Sequence, residues 1–184
     1  VNEYLKKNFH NLHSTQSKTQ HDAFQYVLKQ TDKHVDWAYD VWGRMVKDLG
    51  HEDNHVRAIA AQILCNLARK SDPEKRILKD FDDLLAVTKD ERFVTARHTI
   101  QSLWKIGLAG DEQRNKLLEG IEVRFKECVN EKNCTLIRYD ILLGLRKLFD
   151  ISKDNIVYKK ALELIEIEVD KKYRSKYEKV WKIV

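Results

Sequence analysis

Turn-forming residues are scarce in this chain, with one proline and six glycines in 184 residues. That leaves little turn chemistry for an all-β fold. No long stretch alternates apolar with polar residues either, so no sheet is expected. The three cysteines, Cys65, Cys128 and Cys134, are odd in number and form no C-x-x-C pair. A chain of this size buries a core without covalent staples, so no disulfide framework is expected, and a reducing, cytoplasmic setting is. No apolar run approaches the roughly 18 residues that cross a bilayer, and no secretory signal pattern is seen, so no membrane partner is expected. A glycine-rich phosphate loop and a G-x-S-x-G motif are both missing. No cofactor and no catalytic residue is assigned, and an enzyme is not favoured.

What the chain does have is charge and helical periodicity. Charged residues make up 34% of it and hydrophobic residues 42%. Lys and Arg number 34 against 29 Asp and Glu, a net charge of +5, with a pI near 9.0. Nine basic and six acidic side chains fall in residues 151–184. Interspersed signs of this kind suit the solvated faces of exposed helices.

The clearest stretch is 52–70, EDNHVRAIAAQILCNLARK. Val56, Ala60, Ile63, Leu64 and Leu67 lie on one helical stripe, and Asp53 stands where an N-cap belongs. The pattern Val56, Ala60, Leu64, Leu67 returns as Thr95, Thr99, Leu103, Ile106, and again as Ile137, Ile141, Leu145, Leu148. A helical pattern recurring at about 40 residues predicts a repeat array. Residues 1–13 read as a short capping helix with Leu5, Phe9 and Leu12 inward, since a terminal repeat must cover its apolar face. Hairpins are expected at about 20–49, 53–88, 90–129 and 133–181, in a single domain over 1–184. Gly50 is expected to end a helix in the left-handed conformation. Asp72 and Pro73 are expected to start the next helix, and Asp111 to cap a later one. From about residue 154 one long helix is expected to run on through an aromatic stripe of Tyr173, Tyr177 and Trp181, which reads as packing rather than ligand binding.

Asp53-x-x-Val56-Arg57-x-x-Ala60, followed by Leu64, Leu67 and Ala68, resembles the first helix of a HEAT repeat. Ile137, Arg138, Ile141, Leu145 and Leu148 match again, whereas Ala96 replaces the arginine between Thr95 and Thr99 in the third repeat. The resemblance implies an all-α, right-handed superhelix of about four antiparallel helix pairs, related to armadillo repeats. It also implies that Arg57 and Arg138 join a polar ladder between repeats. The alkylpurine DNA glycosylases look like such arrays, and by that analogy Asp36, Asp40, Trp37 and Trp42 would face damaged DNA; the spacing of Trp37, Trp42 and Trp104 reads instead as buried stripe.

His51-Glu52-Asp53-Asn54-His55 matches the zinc-protease pattern H-E-x-x-H. That chemistry needs both histidines on one formed helix, and here the helix starts inside the motif, so the stretch reads as a repeat turn. His10 and His13 share a face but lack further ligands, and no metal is assigned. The expected function is a non-catalytic protein-interaction or scaffold module whose second helices hold a protein or peptide partner. Candidate partner-binding residues are Lys75, Arg76, Lys79, Arg114 and Arg124. The second reading is a nucleic-acid-binding solenoid making phosphate contacts. The oligomeric state is left open.

Overall fold

The computed structural model describes residues 2–182. Among them it has ten α-helices and no strand. The chain divides into two compact units, residues 1–99 and 100–184.

The first unit holds α1 (Glu3–Asn11), α2 (Ser17–Thr31), α3 (Ala38–Asp48), α4 (Asn54–Lys70), α5 (Ile77–Ala86) and nearly all of α6 (Phe93–Ile100). Helix α4 is central, with 11 of its 17 residues buried. Asp53 caps it, its carboxylate accepting the His55 N–H at 2.8 Å. The buried Ala58, Ala60 and Ala61 let neighbouring backbones approach closely, and α4 packs on both α2 and α3. Its buried Asn66 donates to Leu28 O and Thr31 Oγ1 of α2.

Two starts and stops differ from expectation in this unit. Gly50 is not left-handed: among the described residues no glycine adopts the left-handed conformation, and the chain leaves α3 through tightened bonds such as Gly50 N–H to Lys47 O. The left-handed residues are Lys75, Lys153 and Lys182. Helix α5 does not start at Pro73. Lys75 turns the backbone first, and Asp72 reaches past that turn to accept from the Arg76 and Ile77 N–H groups. The N-cap position is Arg76, not Asp72; Asp72 still bonds the first helical N–H, and the helix begins later because a left-handed residue intervenes.

The second unit holds a 3-10 segment (Leu103–Leu108), α7 (Asp111–Glu127), α8 (Cys134–Ser152), α9 (Asn155–Ile167) and α10 (Lys171–Trp181). Helix α8 is its centre and touches all the others. The α6 pattern does not continue to Ile106 as one α-helix. Thr99 Oγ1 bonds back to Thr95 O at 3.0 Å, a contact that weakens helix propagation, and α6 stops at Ile100. Gly107 then sits where a Cβ would lie 2.5 Å from a Leu148 methyl, so any larger residue there requires the Leu148 side chain to shift. Asp111 is the first residue of α7 rather than its cap, which is Gly110.

Two further corrections shape the candidate site. The long last helix is broken in two. Glu168 is extended, and Asp170 caps α10 by accepting from the Lys172 and Tyr173 N–H groups at 2.9 and 3.2 Å. Against the expectation of no disulfide, Cys128 and Cys134 are bonded, closing the turn between α7 and α8. Cys65 is a buried residue of α4. No described helix is long and apolar enough to cross a membrane.

Candidate functional site

The break at residues 168–170 lets α10 lie back against α8, and a groove of about 520 Å3 forms between the two helices. The aromatic stripe of α10 fixes its depth. Tyr177 and Trp181 are buried. Trp181 donates its indole N–H to Leu142 O at 3.2 Å, and its ring meets those of Phe149 and Tyr158. Tyr177 donates to Thr135 O at 3.0 Å, with Glu168 3.4 Å away. Burial first, and then the Glu168 charge, push the Tyr177 phenol well above its usual range, so the hydroxyl stays a donor. Glu168 is itself buried and takes a 2.9 Å ion pair from Arg138, whose Nε–H donates to Phe125 O. Arg138, Glu168 and Tyr177 thus tie α8, the end of α9 and α10 into one polar floor.

The walls are different in kind. Thr135, Leu136 and Tyr139 come from α8; Tyr173, Lys176, Lys179 and Val180 come from α10. Leu136 is 42% exposed and Tyr173 half-buried, which leaves apolar surface open to an incoming group. The ammonium of Lys176 lies 5.3 Å from the Tyr173 ring centroid, a cation–π distance. Among the described residues no acidic side chain lines this groove. Such a site can hold a side chain or a short segment of a partner; it presents no nucleophile and base in mutual reach.

The residues singled out from sequence fall elsewhere. Lys75 and Lys79 are exposed in the first unit. Arg76 stacks over the Tyr39 ring at 3.7 Å and pairs with Glu74. In the second unit, Arg114 is mostly buried between Asp111 and Asp154, and Arg124 is 2% exposed and held by both oxygens of Glu131. The first three and the last two belong to different units, and the last two are engaged inside their own. Arg57 forms a two-bond pair with Asp90 at 2.6 and 2.9 Å, a contact from α4 to the turn before α6. Burial alone would raise the Asp90 carboxyl, but the Arg57 hydrogen bonds and the Arg92 N–H outweigh it and hold it below the ordinary range.

His51 precedes α4 and its Nδ1 accepts the Asp53 N–H, so it does not share a helix face with His55. His13 sits 2.8 Å from Asp48. Among the described residues no three His, Cys, Asp or Glu side chains are placed to hold a metal ion. Trp42 is buried and donates to Asp80 at 2.7 Å, while Trp37 is half-buried against Phe9. Sequence reasoning missed the groove because it ran α9 and α10 together. The available signal was Asp170, an N-cap residue three positions before Tyr173.

No protein-family profile matches the chain, and no curated protein matches it in sequence. Solved structures do match in shape. An engineered protein aligns with a TM-score of 0.57 at 17% identity, over 98% of this chain and 80% of its own. A designed armadillo repeat protein aligns with a TM-score of 0.51 at 16% identity, over 96% of this chain and 87% of its own. A second designed armadillo repeat protein, solved in complex with the peptide (KR)4, aligns with a TM-score of 0.51 at 13% identity, over 99% of both chains. Helices alone, repeating at about 40 residues and aligning along nearly the whole chain with armadillo designs, make this protein an armadillo-like α-solenoid in fold.

Proposed function

We propose that the chain is a non-catalytic protein-interaction module that holds a segment of a partner protein in the groove between α8 and α10. The observation that carries this reading is the combination of a rigid polar floor with an open apolar wall, Leu136, Tyr139, Tyr173 and Val180. Rigid aromatic side chains give a partner contact area at small entropic cost. An amphipathic helix or extended segment is the kind of ligand that fills such a cleft between two helices. The peptide held by one designed armadillo repeat protein of the same fold supports a peptide as occupant.

The test is selection of a displayed random-peptide library on the immobilised protein, run in parallel on Leu136→Asp. The expected result is enrichment of a peptide family on the parent that is lost on the variant. Enrichment that survives Leu136→Asp places the binding surface elsewhere, and no enrichment on either removes the peptide-binding reading.

A further inference from the structure

The cations at the rim of this groove say more about its occupant than its apolar wall does. Helix α10 carries Lys171, Lys172, Arg174, Lys176 and Lys179 against one acid, Glu178, which pairs with Arg174 at 3.4 Å. Lys176 and Lys179 line the groove and have no carboxylate partner among the described residues. On the α7–α9 face of the same unit, by contrast, Lys126 and Lys160 both hold Glu122, and Lys160 also reaches Glu163. Glu168, the carboxylate of the polar floor, does not line the groove and is buried and neutralised by Arg138. The groove therefore combines an apolar wall with a positive rim.

We infer that this groove takes an acidic amphipathic segment, with an apolar side chain set between Leu136, Tyr139, Tyr173 and Val180 and carboxylates on Lys176 and Lys179. This rests on the reading of the groove as a partner site and names the partner's chemistry. The two lysines stand three residues apart on a helix, so their stems are offset by about 4.5 Å along its axis. Carboxylates one helical turn apart, or two residues apart in an extended segment, meet both. The apolar wall excludes water on one side of each ion pair, which strengthens it over a pair on an open surface. The Tyr173 ring holds the Lys176 ammonium near the wall before any partner arrives. A basic peptide meets like charge here and is disfavoured.

The experiment is fluorescence anisotropy with a labelled peptide of about 15 residues bearing Leu and Phe at i, i+3, i+4 and i+7 and Glu beside them. Comparison probes are the same peptide with Gln for Glu, the peptide (KR)4, and a single-stranded oligonucleotide. The expected result is micromolar binding of the acidic peptide that weakens about fivefold from roughly 50 to 200 mM salt. Lys176→Glu with Lys179→Glu should weaken it at least tenfold, and Leu136→Asp should abolish it. Lys147→Glu with Lys159→Glu, an equal charge change on exposed residues of α8 and α9 outside the groove, should leave it unchanged. Circular dichroism confirms that each variant is folded. Equal binding of the Gln peptide overturns the charge assignment and leaves the interaction reading standing. Oligonucleotide binding as tight as the acidic peptide's and indifferent to Leu136→Asp overturns the inference in favour of a plain polyanion surface. No binding of the acidic peptide overturns it too, and the library selection then decides whether the interaction reading falls with it.

Discussion

Two lysine-bearing surfaces of the second unit differ in what the lysines face. Between α7 and α9, Glu122 holds Lys126 and Lys160, Lys160 also reaches Glu163, and Arg114 is clasped by Asp111 and Asp154. Between α8 and α10, Lys176 sits by the Tyr173 ring, and it and Lys179 line a groove with an apolar wall instead. Pairing distinguishes these surfaces, and net charge follows it: the first matches its cations with acids, and the groove carries two lysines and no lining acid among the described residues. The first uses its charges to join its own helices and has little left to offer a partner. The second leaves charge beside apolar surface, the combination that recognition uses.

The sharpest way to break the comparison is to remove the acid under the groove. Glu168→Ala leaves the buried Arg138 guanidinium without its countercharge, and Tyr177 loses a neighbour. Such a deletion costs about 3–5 kcal/mol, read as a lower urea midpoint and a lower Tm. Glu122→Ala on the α7–α9 face should cost about 1 kcal/mol or less, since that pair is half in water. Equal losses from the two variants would mean that Glu168 supports no more than a surface pair does. The next effect lies at the corner that joins the two regions. Cys128 follows α7 and Cys134 opens α8, so the double change Cys128→Ser, Cys134→Ser releases a short loop and should cost about 2 kcal/mol by chain entropy. Chemical denaturation with and without reductant measures it: the parent should lose stability on reduction and the variant should not.

A smaller gain is available at the far end of α8, away from the groove. Lys153 closes this helix in the left-handed conformation, its N–H on Phe149 O at 2.8 Å. A side chain there works against the backbone, and Lys153→Gly should stabilise the protein by about 1 kcal/mol with no effect on peptide binding. The same residue shows why parts of the fold were legible and others not. Periodicity gave α4 and α8 because their buried stripes repeat, and Asp53 marked its helix start because an N-cap is a local bond. Glycine was a poor guide to helix ends, since the left-handed positions fall on Lys75 and Lys153 instead, where no local signal marks them. The groove had one local signal, the Asp170 cap, and was otherwise hard to read for a related reason. The residues of α9 and α10 keep helical spacing across 168–170, and at the break Glu168 meets Arg138, a contact 30 residues away in sequence. Arg114 and Arg124 were chosen for charge alone, and which carboxylate each would find is also a tertiary matter.

The smallest effect separates the two surfaces by pH. Hydrogen bonds from Lys126 and then Lys160 pull the Glu122 carboxyl down from 4.5 to about 2. A carboxyl with a depressed folded pKa stabilises the protein fully above its unfolded value and loses that contribution as pH falls toward the folded one. The window is therefore between about 4.5 and 2. Unscreened, the shift corresponds to about 3 kcal/mol. The side chain of Lys126 is 55% exposed, so solvent screening leaves about 1 kcal/mol. Unfolding measured from pH 6 down to 2.5 should show the parent losing this increment relative to Glu122→Gln, while at pH 6 the variant is the less stable of the two. Two parallel pH curves would mean that the α7–α9 ion pairs are formed but do not stabilise the fold, and the contrast with the groove would then rest on the orientation of its lysines alone.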